Sequence, residues 1–224
     1  IISKDGYIVT NNHVVSGATS LKVTTTDGTE YDASVVGKDS QTDLAAIKVD
    51  ANNLQAATLG DSDILQVGDP AIAIGNPLGE LGGTVTTGII SATDRQITID
   101  DETMTLLQTD AAINPGNSGG GLFNADGNLI GIVNAKESST GIEGLGFAIP
   151  ITPAQDIITE LMENGSVTSR PALNVSLYDY TSKNQGQYSK YEDGCYKKRN
   201  QFDIFRITQL LHHNQNPYLF LFML

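Results

Sequence analysis

Thr109-Asp110-Ala111-Ala112-Ile113-Asn114-Pro115-Gly116-Asn117-Ser118-Gly119-Gly120 places a serine in a turn rich in glycine. There, backbone N–H groups can converge on one point while the hydroxyl projects outward. An acyl-transfer nucleophile beside an oxyanion hole requires that arrangement. A glycine-rich turn without chemistry would read the same from the pentapeptide Gly116 to Gly120 alone, so the assignment depends on what else the chain supplies.

A serine nucleophile needs a base, and up to residue 175 the chain has a single histidine, His13, in Thr10-Asn11-Asn12-His13-Val14-Val15. A lone histidine is more often structural. The base in turn needs a carboxylate to orient it. Asp43, in Thr42-Asp43-Leu44-Ala45-Ala46-Ile47, stands at the head of an apolar run where a carboxylate would be partly buried. An aspartate there would serve equally as a strand-end cap. Taken together, the order His, Asp, Ser with a glycine-rich serine turn is the order used by chymotrypsin-type proteases, whereas other triad folds use other orders.

Around these residues the chain reads as all-β. Short β-branched runs bounded by turn residues are expected at Tyr7 to Thr10, Leu21 to Thr26, Tyr31 to Lys38, Leu44 to Val49 and Ala71 to Ile74. Others follow at Thr84 to Ala92, Gln96 to Ile99, Leu129 to Ala135 and Leu145 to Ile149. Asp27-Gly28 and Asp126-Gly127 supply the positive backbone angles of tight hairpins. One helix follows the strands, with Thr152 as cap, Pro153 at the first helical position and Gln155 completing a capping box. Its apolar face is Ile157, Ile158, Leu161 and Met162, and Gly165 ends it.

Composition divides the chain near residue 175. Up to that point it has 7 basic and 22 acidic residues and 21 glycines; beyond it, 6 basic, 4 acidic and 2 glycines. The last 49 residues hold 6 of the 8 tyrosines and the only cysteine, Cys195. Two such compositions point to two structural units. The overall charge of −13 argues against nucleic-acid partners and anionic membranes. A single cysteine forms no intramolecular disulfide, and His212-His213 lacks further ligands at useful spacing, so no metal and no cofactor is expected.

The strings TNNHVV, TDLAAIKV and TDAAINPGNSGG resemble the His, Asp and Ser motifs of the HtrA (Deg) family of trypsin-like serine proteases. AIAIGNPLGELGGTVTTGIIS and GLGFAIP resemble that family as well, almost continuously over residues 1 to 177. The resemblance implies a chymotrypsin-like double β-barrel with a C-terminal helix over residues 1–168, a linker at 169–177, and a truncated or frame-disrupted PDZ segment at 178–224. It implies His13 as general base, Asp43 as the holder of its tautomer and Ser118 as nucleophile. Gly116, Asn117 and Ser118 would form the oxyanion hole.

For substrate, the resemblance assigns backbone pairing to Asn134, Ala135 and Lys136. A trypsin-like pocket for basic side chains needs an acid six residues before the serine; here that residue is Ala112, with Ile113 adding apolar bulk. The pocket should therefore take small or medium aliphatic side chains. Asp110 belongs to the motif and does not make the pocket tryptic. Asn117 stands where digestive zymogens carry an aspartate, so Ile1-Ile2 is not read as an activated terminus. Activation would instead reorder loops such as Asn76 to Gly83 and Lys136 to Gly144.

The function so implied is ATP-independent endoproteolysis of unfolded or misfolded proteins in the cell envelope or periplasm of a bacterium. The full-length form would be a homotrimer, with any membrane attachment through segments outside this chain. The family domain also begins with an earlier strand, so the first strand here is expected to be incomplete. A non-catalytic protein-binding or chaperone fragment on the same scaffold is the alternative.

Overall fold

The structure, a computed structural model, describes residues 1–76, 83–99, 102–135 and 144–170, together with the backbone of four short strands farther along. The chain forms two compact units, Ile1–Ser169 and Arg170–Leu224. In the second unit, β11 (Val175–Leu177) pairs with β14 (Leu221–Met223), and β12 (Tyr188–Lys190) pairs with β13 (Tyr196–Lys198), both antiparallel.

Among the described residues the first unit has two β bodies and two helices. Strands β1 (Tyr7–Asn11), β2 (Leu21–Thr24), β3 (Glu30–Asp39) and β4 (Leu44–Val49) form an antiparallel sheet in the order β1-β4-β3-β2. A one-turn helix, α1 (Asn12–Val15), follows β1. The second body is a closed six-stranded barrel of β5 (Pro70–Gly75), β6 (Thr84–Ile99), β7 (Glu102–Thr109), β8 (Gly121–Phe123), β9 (Leu129–Asn134) and β10 (Gly146–Pro150). The double-barrel expectation is thus refined: among the described residues the first body is a half-barrel, in which β1 and β2 are edge strands, and only the second closes. Closure needs every strand to have two neighbours.

Two central strands are buried on both faces, and this positions the site. In β4, Leu44 and Ala46 pack on one side while Ala45 and Ile47 pack on the other. In β9, Leu129 and Ile132 face the half-barrel and helix, while Ile130 and Val133 face the barrel interior. Such strands read as unbroken apolar runs rather than as alternating ones. Each fully buried Leu or Ile side chain contributes about 1.5–3 kcal/mol to holding these strands in place.

The structure departs from the sequence reading at several elements. The expected runs Thr84 to Ala92 and Gln96 to Ile99 are one strand, β6, whose pairing with β7 shifts register at Ile90/Ala92 and Ala92/Arg95. Bulges of this kind let a long strand turn a corner of the barrel. Strands β7 and β8 and helix α1 were not expected. The helix α2 (Ile151–Asn164) starts two residues early, with Pro150 as N-cap in place of Thr152, and makes no side-chain cap bond. Thr152 instead accepts from the Ser62 N–H at 2.7 Å and donates to Asp61, while its own N–H donates to Ser62 Oγ. The capping box is therefore replaced by a tie between the helix start and the 61–62 loop. At the other end Gly165 adopts φ +74 and its N–H donates to Leu161 O, as a helix-ending glycine should. Ile158 and Leu161 are buried in the core, with Ile157 and Met162 packed at its margin.

Candidate active site

Four strand ends meet where the half-barrel joins the barrel. β1 runs into α1 and delivers His13; Asp43 immediately precedes β4; Ser118 precedes β8; Asn134 is the last residue of β9. The sequence order His, Asp, Ser is thus brought to one place by topology.

Asp43 is 5% exposed and adopts φ +54, a left-handed conformation that few residues other than glycine enter. Aspartate and asparagine tolerate it best. From there both carboxylate oxygens reach His13: Oδ1 accepts its backbone N–H at 2.9 Å, and Oδ2 meets Nδ1 at 2.6 Å. Oδ2 also accepts from Asn134 Nδ2 at 3.0 Å. A carboxylate at Nδ1 keeps the proton on that nitrogen, which leaves Nε2 of the neutral ring as an acceptor. The His13 side chain remains 26% exposed, so it is open to a reacting group.

The serine turn is shaped by glycine. Asn117 N–H donates to Asn114 O at 3.0 Å with Gly116 at φ +96, the third residue of a turn that requires a positive angle. Gly119 has φ +80, and a side chain there would run into Thr10 of the half-barrel. Gly119 N–H donates to Val133 O, and Val133 N–H donates to Gly120 O, which fastens the turn to β9. Ser118 Oγ accepts from Ala135 N–H at 3.1 Å, and among the described residues no bond joins it to His13. Among the same residues the N–H groups of Gly116 and Ser118 donate to no carbonyl.

Neighbouring residues therefore hold neighbouring parts of the site. Asn134 holds Asp43 and Ala135 holds Ser118, while Thr10 and Asn11 bracket Gly119 just before His13. The sequence reading assigned Asn134 to substrate, yet its side chain is buried against Asp43. Nothing in a run of apolar β residues marked that amide as pointing inward to a carboxylate. Ala135 is buried as well, and Lys136 lies outside the described residues, as do positions 77–82 and 136–143 of the two expected loops.

Of the remaining expected residues, Ala112 is exposed, and its carbonyl accepts from Thr86 Oγ1 at 2.9 Å and Asn117 Nδ2 at 3.4 Å. Ile113 is buried, with Gly146 lying so close that a side chain there would strike it. Asn117 is buried, its Oδ1 has no partner among the described residues, and it lies against Gly75. Asp110 Oδ1 accepts from Ile89 N–H at 2.7 Å, a structural bond beside the register shift in β6.

A His–Asp pair and a glycine-set serine at the junction of two β bodies define a trypsin-like peptidase architecture. The family model described as "Trypsin-like peptidase domain" matches residues 1–132. The chain is 50% identical over 183 residues to Serine protease Do-like HtrB of Bacillus subtilis, which covers 79% of this chain and 40% of that protein. It is 50% identical over 184 residues to the Probable periplasmic serine endoprotease DegP-like of Chlamydia muridarum, covering 82% of this chain and 37% of that one. Among solved structures, "HtrA-type protease AlgW with decapeptide" matches at TM-score 0.72 and 49% identity, over 82% of this chain and 56% of that chain. The chain belongs to the HtrA (Deg) family of trypsin-like serine proteases. It spans about two-fifths of the length of the curated relatives it matches. No helix among the described residues is long and apolar enough to cross a membrane.

Proposed function

We propose that the chain carries the catalytic machinery of a serine endopeptidase, with Ser118 as nucleophile, His13 as general base and Asp43 as the group that fixes its tautomer. The observation that carries this reading is the double grip of Asp43 on His13, through backbone N–H and Nδ1. A carboxylate that merely capped a strand end would not need both.

In this reading Ser118 Oγ attacks the carbonyl carbon of the scissile peptide and passes its proton to His13 Nε2. Ala135 N–H occupies a lone pair of Oγ, which leaves the hydroxyl proton to be donated. The carbonyl oxygen, now negative, is received by the N–H groups of Gly116 and Ser118, with the buried Asn117 shaping the loop between them. His13 then returns the proton to the leaving amine, the C–N bond breaks, and water repeats the sequence on the acyl-enzyme. Asp43 stays ionised throughout and stabilises the imidazolium.

Small or medium aliphatic side chains fit a pocket that has Ala112 where an acid would select cations and Ile113 filling the space beside Gly146. Substrate backbone would pair with the segment Asn134-Ala135-Lys136. We assign unfolded or damaged proteins as substrates, an extracytoplasmic location in the cell envelope or periplasm, and a homotrimer for the full-length form. We assign residues 169–177 as a linker and 178–224 as a PDZ-related segment. The location draws support from the name of one relative, which is periplasmic. Cleavage of a chemically unfolded protein by the purified chain, compared with Ser118→Ala, tests the reading. A loss of several orders of magnitude is expected; equal activity of the two chains would refute it and leave a binding fragment.

A further inference from the structure

We propose that Asn11 is a positioning residue for Asp43, holding the aspartate in the left-handed conformation from which its carboxylate reaches His13. This inference rests on the triad assignment above and adds to it a residue that makes no contact with the reacting atoms.

Asp43 is held in a strained backbone conformation. Its φ of +54 is the departure that lets one carboxylate address both the backbone N–H and Nδ1 of His13. A non-glycine residue in this region persists only where its surroundings hold it there. Asp43 sits one residue outside the ladder, since pairing of β4 with both β1 and β3 begins at Leu44. The sheet alone therefore does not fix its peptide.

Two donors fix its carbonyl instead. Asn12 N–H donates to Asp43 O at 2.9 Å, and Asn11 Nδ2 donates to the same oxygen at 3.1 Å. The first belongs to the main chain and is available whatever the residue. The second is specific to the asparagine side chain. If the Asp43 peptide rotated out of the left-handed region, its carbonyl would leave both donors and its carboxylate would swing away from His13.

Asn11 is fully buried, and its Oδ1 has no partner among the described residues. A buried acceptor without a donor is destabilising, and an apolar side chain would avoid the cost. The amide orientation is set by the Asp43 carbonyl, to which Nδ2 and not Oδ1 can donate, so Oδ1 is left over. Asparagine here is thus a poor choice for stability and a good one for holding Asp43. Asn11 also lies beside the serine turn: a side chain added at Gly119 would come within 3.3 Å of its backbone nitrogen. A single buried residue thus connects the aspartate to the base two positions ahead and to the turn that carries Ser118.

The test compares Asn11→Ala and Asn11→Leu in the full chain, reading kcat and KM on a peptide substrate and the melting temperature. A merely structural residue would lower the folded fraction and leave kcat per folded molecule unchanged. The expected result is a fall in kcat of about tenfold, the size of one lost hydrogen bond, with KM within about twofold. Melting temperature should hold or rise in at least one variant, because the orphaned acceptor is gone. The second arm places Asn11→Ala in an Asp43→Ala background and follows the rate of phosphonylation by a fluorophosphonate, which remains measurable in slow variants. A residue acting through Asp43 should then cost less than about twofold. An equal loss in both backgrounds, or unchanged kcat in both single variants, overturns the inference while leaving the triad intact. If Asp43→Ala alone leaves the rate unchanged, the triad assignment falls and this inference falls with it.

Discussion

Asn134 donates its side-chain amide to Asp43 Oδ2 at 3.0 Å, on the same oxygen that meets His13 Nδ1, and so ties the barrel to the half-barrel at the site itself. A hydrogen bond to a buried carboxylate is worth about 1.5–3 kcal/mol. Asn134→Leu should lower unfolding free energy by about 1–3 kcal/mol, and kcat should fall with it. Urea unfolding and steady-state kinetics would check this. A variant unchanged in both would show that the amide is incidental.

Gly37 makes a separable prediction, away from the chemistry. It lies at the register shift between β3 and β4, where the end of α2 presses on the strand, and an added Cβ would come within 2.6 Å of Leu161 O and 2.7 Å of Gly165 O. Gly37→Ala should destabilise by about 1–3 kcal/mol through overpacking, while kcat per folded molecule stays the same. Thermal melting and active-site titration separate the two effects. A fully stable variant would mean that the helix end yields without cost.

The half-barrel strands, the barrel's apolar runs and the helix face were legible because alternation, β-branching and glycine placement are local signals. The proposed triad was suggested for a different reason: three short motifs stood in one order. What could not be read were features decided by distant partners. Thr152 has the chemistry of a cap, but its hydroxyl finds Ser62 and Asp61, 90 and 91 residues away, and the helix starts without it. Asn134 reads as one more strand residue until Asp43 is placed beside it. β7 was missed because Thr and Gln alternate with its apolar residues, so only Met104, Leu106 and Leu107 signal burial. The half-barrel in place of a closed first barrel is likewise a matter of which strands find neighbours.

Glu160 supplies a pH-dependent prediction. Its carboxylate accepts from the Ser169 hydroxyl and from the backbone N–H groups of Ser169 and Thr168, bonds that depress its pKa from 4.5 to about 2. A depressed carboxylate contributes fully above its unfolded value and loses that contribution as pH falls through the folded one. The tie between α2 and residues 168–169 should therefore hold at neutral pH and release between pH 4.5 and about 2. A carbon-detected NMR titration of Glu160 should give a midpoint near the lower value; a midpoint at 4.5 would contradict the tie.

Specificity can be read from cleavage products. Peptides with Val, Ala or Ile before the cleaved bond should be hydrolysed in preference to those with Lys or Arg. With Ala112 in place of an acid, a buried cation would stand unpaired at a cost of several kcal/mol. Mass-spectrometric mapping of products from an unfolded protein decides the matter. Cleavage after basic residues would overturn the pocket assignment.

The central claim is that Ser118 is an activated nucleophile, and covalent labelling tests it most directly. The purified chain is incubated with a fluorophosphonate at neutral pH, and the modified residue is located by peptide mapping. Label is predicted on Ser118 alone, lost in Ser118→Ala and slowed by several orders of magnitude in His13→Ala, with the double variant no worse than either. A folded chain that never labels at Ser118, or one that labels equally fast without His13, would contradict the account.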